Sequence, residues 1–360
     1  MKTWLSAHIF YYDEQDSLLL DCVRPLVRQL EKRELIDRFF FIRYWEGGPH
    51  VRLRLRGETA LFETEVKPLL DARVAEYLLA YPSMALIEQA EVKEQHTRLH
   101  QREYGVAAFL PLYPNNSVQY LAYTPETGRY GGPGGVAVAE AHFETSSRTA
   151  FYLLDQTRNN KGLRQSVALR FALAVPLSMG VKRENLQAYF VNYFHFWLRF
   201  NRVSPEAVSD SFRRSFEARK PDFMSYIRKA LELLNVGPGS ANRDLLSTWI
   251  SDLQTAYRQL RELEARGELS IETTNALRAR SVRTGLQPEP PVHNPPHSID
   301  EALQVIVGSY LHMFHNRLGI SILEEAYSAF LISQTLTLLK EKTDERPRSG
   351  EMEQRSYLLS

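Results

Sequence analysis

His50-Val51-Arg52-Leu53-Arg54-Leu55-Arg56 alternates a cation with an aliphatic side chain without a break. A period of two belongs to an extended strand, so Arg52, Arg54 and Arg56 share one face and Val51, Leu53 and Leu55 the other. Just upstream, Gly47-Gly48-Pro49 is a turn, and Arg38 to Trp45, rich in aromatics, is the strand that enters it. Working outward, Trp4 to Tyr12 reads as another strand. Asp16 to Leu35 reads as an amphipathic helix with Leu18, Cys22, Leu26 and Leu30 on one stripe. A helix is expected over Leu61–Leu79, a charged helical piece over Glu88–Glu103, and a strand over Val118–Tyr123.

From Gly135 onward the apolar spacing is helical, with helices predicted at 136–155, 164–180, 183–201, 206–216, 222–235 and 241–266. Gln287 to His297 holds five prolines in eleven residues, which makes it an extended connector. Ser298-Ile299-Asp300-Glu301 and Ser321-Ile322-Leu323-Glu324 have capping-box spacing, and Gly319 stands where a helix would end. The fold class is therefore α+β: an N-terminal mixed β-sheet with flanking helices, then a mainly helical C-terminal half. Residues 1–135 form the mixed part, 136–340 the helical part, and 341–360 a charged tail expected to be disordered.

Composition narrows the function. Lys+Arg 44 against Asp+Glu 43 gives a formal net charge of +1, so the surface as a whole is not that of a nucleic-acid binder. Any anion site must be a local cluster. The single cysteine, Cys22, excludes an internal disulfide and, in its helix, is expected to be a buried thiol. With no apolar run of bilayer length and no signal-like start, a cytoplasmic location is expected.

Three places carry chemistry. The arginine strand is either a solvated face paired with acidic neighbours or a cradle for carboxylate or phosphate, since guanidinium forks bind such groups at two points. Arg43 on the adjoining strand could join either arrangement. Glu126-Thr127-Gly128-Arg129-Tyr130-Gly131-Gly132-Pro133-Gly134-Gly135 ends a strand and opens a helix, but lacks the spacing of a Walker loop or dinucleotide fingerprint. On the glycines alone, a flexible turn is the simpler account. Finally, His312 and Asn316 lie one turn apart on a late helix and share a face. The pairs His96/His100 and His293/His297 lack a zincin's glutamate and are expected to be solvated. No metal or cofactor is called for.

Taken in order, these segments resemble the C-terminal domain of lantibiotic dehydratases and the related thiopeptide-type bacteriocin biosynthesis proteins. The matching residues are Phe39-Phe40-Phe41-Ile42-Arg43-Tyr44, His50-Val51-Arg52-Leu53-Arg54, Glu126-x-x-Arg129-Tyr130-Gly131-Gly132, Ala139-Glu140-x-x-Phe143-x-x-Ser146 and His312-Met313-x-x-Asn316-Arg317-Leu318-Gly319. The resemblance implies a β-elimination that expels glutamate from glutamylated Ser or Thr of a precursor peptide, leaving dehydroalanine or dehydrobutyrine. It assigns Arg52, Arg54 and Arg129 to the glutamyl group and the developing negative charge, His312 to the proton, and Glu126 to orienting Arg129 or meeting the glutamyl amine. Arg43, Tyr130 and Asn316 are expected to bind substrate. No stretch resembles the glutamylating domain, so a separate glutamyl-tRNA-using subunit is the expected partner beside the precursor peptide, with a homodimer compatible. The same fold family contains enzymes that join two dehydroalanines in a formal aza-[4+2] cycloaddition, and a non-catalytic peptide-binding scaffold is the alternative of another class.

Overall fold

The structure, a computed structural model, describes residues 1–104, 107–200, 203–234, 245–269 and 299–344. The proline segment, His293, His297, Ser298 and the chain from 345 onward lie outside the described residues. By contact density the chain divides into two compact units, Met1–Gly180 with Pro238–Ser321, and Val181–Gly237 with Ile322–Ser360. The first unit thus joins the sheet to helices from well beyond residue 135.

In the first unit β1 (Lys2–Phe10), β2 (Arg38–Tyr44), β3 (His50–Glu58) and β4 (Ser117–Tyr120) form one sheet in the order β2-β3-β1-β4. Every neighbouring pair is antiparallel, where the sequence predicted a mixed sheet. The reason is topological. β1 and β2 run parallel, but β3 turns back from β2 and inserts between them, so no parallel ladder forms. The connection from β1 to β2 begins with a π-wound stretch, Leu18–Val23, continuous with α1 (Arg24–Lys32). Its stripe of Leu18, Cys22, Leu26 and Leu30 is fully buried, as the period of the sequence required. Cys22 Sγ lies 3.7 Å from the Arg73 carbonyl, and burial pushes its thiol up to about 12.

Two short non-α turns, Thr59–Leu61 and Phe62–Val66, lead into α2 (Lys67–Ala80), and α3 (Gln89–Tyr104) follows. The strand expected over 118–123 stops at Tyr120. The Gly-rich segment is not a flexible turn. Thr127–Tyr130 makes one helical turn, α4, Gly131 breaks it at φ +85°, and α5 begins at Gly132 and runs to Gln156. Its glycines are packing devices: a Cβ at Gly135 would stand 1.7 Å from the Tyr130 carbonyl oxygen, and one at Gly134 2.8 Å from Leu263. Gly135→Ala is therefore expected to destabilise the protein by about 3 kcal/mol or more in urea denaturation; a change under about 0.5 kcal/mol would contradict this account.

α6 (Lys161–Ser178), α10 (Leu245–Ala265) and α11 (Ile299–Arg317) complete the first unit. α11 ends in a Schellman motif: Ile320 N–H donates to His315 O at 3.0 Å, Gly319 N–H donates to Asn316 O at 3.0 Å, and Gly319 is left-handed at φ +69°. In the second unit α7 (Leu186–Phe200), α8 (Pro205–Ala218) and α9 (Lys220–Leu233) gather around α12 (Ile322–Asp344), with Phe330 meeting Phe194 and Phe212, each at 5.7 Å. α12 passes residue 341, so the helix runs further than the tail prediction allowed.

Candidate active site on the arginine face of the sheet

The pleat sorts the sheet into two faces. Leu5, Ala7, Ile9, Phe39, Phe41, Val51, Leu53 and Leu55 are buried on one, where Phe39 and Phe41 stack on Phe151 of α5. The other carries Ser6, His8 and Phe10 from β1 beside His50, Arg52 and Arg54 from β3, in the register Ser6↔Arg54, His8↔Arg52 and Phe10↔His50. Here the two readings of the arginine strand separate residue by residue. Arg56 makes a two-point pair with Asp37, both bonds at 2.8 Å, and is the solvated, paired cation. Arg52 lies 3.4 Å from the Tyr44 ring centre, donates to Glu46 at 3.2 Å and donates through Nε to His50 Nε2 at 3.2 Å.

Arg54 differs from both. It is 6% exposed and has no acidic partner among the described residues. Nη1 donates to Ser6 Oγ and to His8 Nε2, the latter at 3.0 Å, and the guanidinium lies 5.1 Å from the Tyr123 ring centre. Burial, with repulsion from Arg52, pushes its ordinarily very high pKa down to about 10, while Tyr123 and Glu126 act the other way. It therefore remains a cation at neutral pH, although it is buried. Tyr123 is fixed by Glu140, which accepts from its hydroxyl at 2.7 Å and from Trp4 Nε1 at 3.1 Å. Burial, and then the Glu140 carboxylate, raise the phenol pKa well above its usual value, so Tyr123 stays protonated.

α4 brings Arg129 toward α11. Arg129 donates to Ser309 Oγ at 3.0 Å and to Glu126 Oε2 at 3.2 Å, while Glu126 is also one of the charges that act on Arg54. Half-buried His312 lies one turn beyond Ser309 and one turn before Asn316, on the helix face they share. Asn316 Oδ1 accepts from the Arg43 main-chain N–H at 2.9 Å and its Nδ2 donates to the Arg43 carbonyl at 2.9 Å, docking this face of α11 on the edge of β2. Arg52, Arg54, Glu126 and Arg129 are thus electrostatically connected. Ser309 and Asn316 bracket His312 on the helix that Arg129 touches.

Three residues expected at the substrate are occupied by the fold. Asn316 spends its amide on the β2 main chain. Arg43 donates to the Arg317 carbonyl at 3.1 Å and to Asp16 at 2.5 Å, closing the end of α11. Tyr130 is buried against Phe143 and Tyr310, with its hydroxyl 3.5 Å from Ser309. The residues that sequence reasoning passed over are Ser6, His8 and Tyr123. Ser6 and His8 are polar at alternate positions within the otherwise apolar run Trp4–Phe10, a signal available in the sequence once β1 is paired with β3. His96 and His100 are not solvated: His96 packs on Trp45 at 5.1 Å, and His100 Nε2 is 3.5 Å from Glu46. Among the described residues no group of three or more His, Cys, Asp or Glu could hold a metal, and no helix is long and apolar enough to cross a membrane.

Comparisons with known proteins bear on the chain as a whole. The profile of the lantibiotic biosynthesis dehydratase C-terminal family matches residues 4–336, and the chain belongs to that family, whose members act in the enzymatic maturation of ribosomally made peptides. Among solved structures it is similar to the pyridine synthase TbtD from thiomuracin biosynthesis, at 18% identity and a TM-score of 0.73, covering 94% of this chain and 99% of that one. It is also similar to TsrL, at 18% identity and a TM-score of 0.65, covering 96% of each chain. The tRNA-dependent lantibiotic dehydratase MibB from Microbispora sp. 107891 matches at 20% identity and a TM-score of 0.51, over 94% of this chain but 28% of that one. No curated protein matches the sequence.

Proposed function

We propose that this chain expels glutamate from glutamylated serine or threonine in a precursor peptide, acting after a separate glutamylating subunit. The observation that carries the reading is the buried guanidinium of Arg54, which makes no ion pair among the described residues, with Arg52 beside it and Arg129 tied to the same electrostatic cluster. A glutamyl ester presents a free side-chain carboxylate to grip and a second carboxylate, that of the ester, as it departs, and guanidinium forks suit both. His312 takes the Cα proton as general base. The electron pair becomes the Cα=Cβ bond, the Cβ–O bond breaks, and glutamate leaves as its carboxylate. Arg52 and Arg129 stabilise charge on the carbonyl oxygen and the leaving group, and Glu126 orients Arg129. Arg52→Ala is expected to lower the elimination rate about a hundredfold or more, read from single-turnover glutamate release, with the fold retained.

A second reading is a formal aza-[4+2] cycloaddition between two dehydroalanines. Its support is length: the match extends over 99% of the pyridine synthase chain. Mass spectrometry of two incubations separates them. A glutamylated peptide that loses one glutamic acid per site supports elimination. A fully dehydrated peptide that sheds its leader and water, with no effect on the glutamylated one, supports ring formation.

A further inference from the structure

Behind Arg54 two histidines lie face to face, with no part in the chemistry above. His8 and His50 stack at 4.9 Å with their planes 19° apart. His50 Nδ1–H donates to the Gly48 carbonyl at 2.8 Å, which leaves Nε2 to accept from Arg52 Nε at 3.2 Å. His8 Nε2 accepts from Arg54 Nη1, so its proton resides on Nδ1, which is buried without a hydrogen-bond partner among the described residues. Each neutral ring therefore accepts from one guanidinium of the alternating strand.

We infer that His8 and Ser6, backed by His50, are positioning residues that clamp Nη1 of Arg54 and leave its Nε–Nη2 edge to receive a substrate carboxylate side-on. What that edge grips rests on the elimination reading; the clamp does not. Three features of the site support it. An orphaned buried N–H is costly, so the imidazole is retained for what its other nitrogen does, since a phenylalanine would fill the same space. Both rings stay acceptors at all physiological pH values: burial, then Arg54, His50 and Arg52, push His8 down to about 2, and burial pushes His50 down to about 3. Finally, a guanidinium held by one nitrogen has less rotational freedom left to lose when a carboxylate docks on the opposite edge.

The test has a spectroscopic arm and a kinetic arm. Long-range nitrogen–proton NMR of the intact protein is expected to show His8 as the neutral Nδ1–H tautomer from pH 5 to 8, and two distinct Arg54 Nη signals that merge in His8→Phe. With glutamylated peptide, His8→Phe and Ser6→Ala are expected to lose about tenfold in kcat/KM, chiefly through KM, without moving the pH profile. His8→Gln, which restores an acceptor near Nε2, is expected to recover to within about threefold of wild type. The clamp is overturned if His8 titrates between pH 5 and 8, if the Nη signals stay distinct in His8→Phe, or if His8→Gln is as impaired as His8→Phe. If wild type releases no glutamate, the elimination reading fails and the NMR arm alone decides the clamp.

Discussion

Arg54→Met is expected to abolish glutamate release to within assay limits, a loss of about 10²–10³-fold or more, while the melting temperature stays unchanged or rises. The two halves of that expectation have one origin. A cation 6% exposed that makes no ion pair among the described residues destabilises the native state, because its hydration is lost and little replaces it. The downward displacement of its pKa says the same thing: the folded protein disfavours the charged form. Methionine fills a similar volume and removes that cost, at the expense of the bonds to Ser6 and His8. Arg54→Lys keeps the charge but not the fork and is expected to recover only part of the activity. A purely structural role would give the reverse pattern, with stability falling and residual activity following the folded fraction.

Asp16→Asn is expected to show that reverse pattern. Asp16 accepts from Arg43 Nη2 at 2.5 Å and from Arg164 Nη2, and the two arginines in turn donate to the Arg317 and Leu318 carbonyls, each at 3.1 Å. One carboxylate thus ties the end of β2 and α6 to the last turn of α11. Removing its charge leaves two largely buried cations facing one another, a loss of about 3–5 kcal/mol by chemical denaturation. The pH dependence has a definite sign. Burial alone would raise the carboxyl pKa, but Arg43, a hydrogen bond from the Glu14 side and Arg164 hold it below the ordinary 3.8. Its contribution is then fully present above that value and is lost as the pH falls below it, so the acid limb of the stability curve should be shallower in Asp16→Asn. A variant as stable as wild type at pH 7 would show that the network contributes nothing.

How far the sequence reached follows from which periods it carries. The alternation in residues 50–56 fixes the faces of β3, and the stripe from Leu18 to Leu30 fixes the face of the first helix, because burial imposes periods of 2 and 3.6 directly. The antiparallel order was hidden, since nothing local in β1 or β2 says that β3 will lie between them. The same gap concealed the site's inner wall. Ser6 and His8 acquire meaning only once the register sets them beside Arg54. It also misassigned the glycines, whose role is to admit the Tyr130 carbonyl and Leu263. Arg43 and Asn316 carry ligand-like chemistry, yet a helix end and a strand edge need the same donors and acceptors as a substrate does.

The most direct measurement is a crystal structure of the protein with a peptide whose glutamyl group is joined through an amide, which cannot be eliminated. The free side-chain carboxylate of the glutamyl group should lie in hydrogen-bond contact with Nε and Nη2 of Arg54, with the peptide Cα–H turned toward His312. A glutamyl group bound away from β3, or one that leaves Arg54 untouched, would contradict the assignment of this face of the sheet.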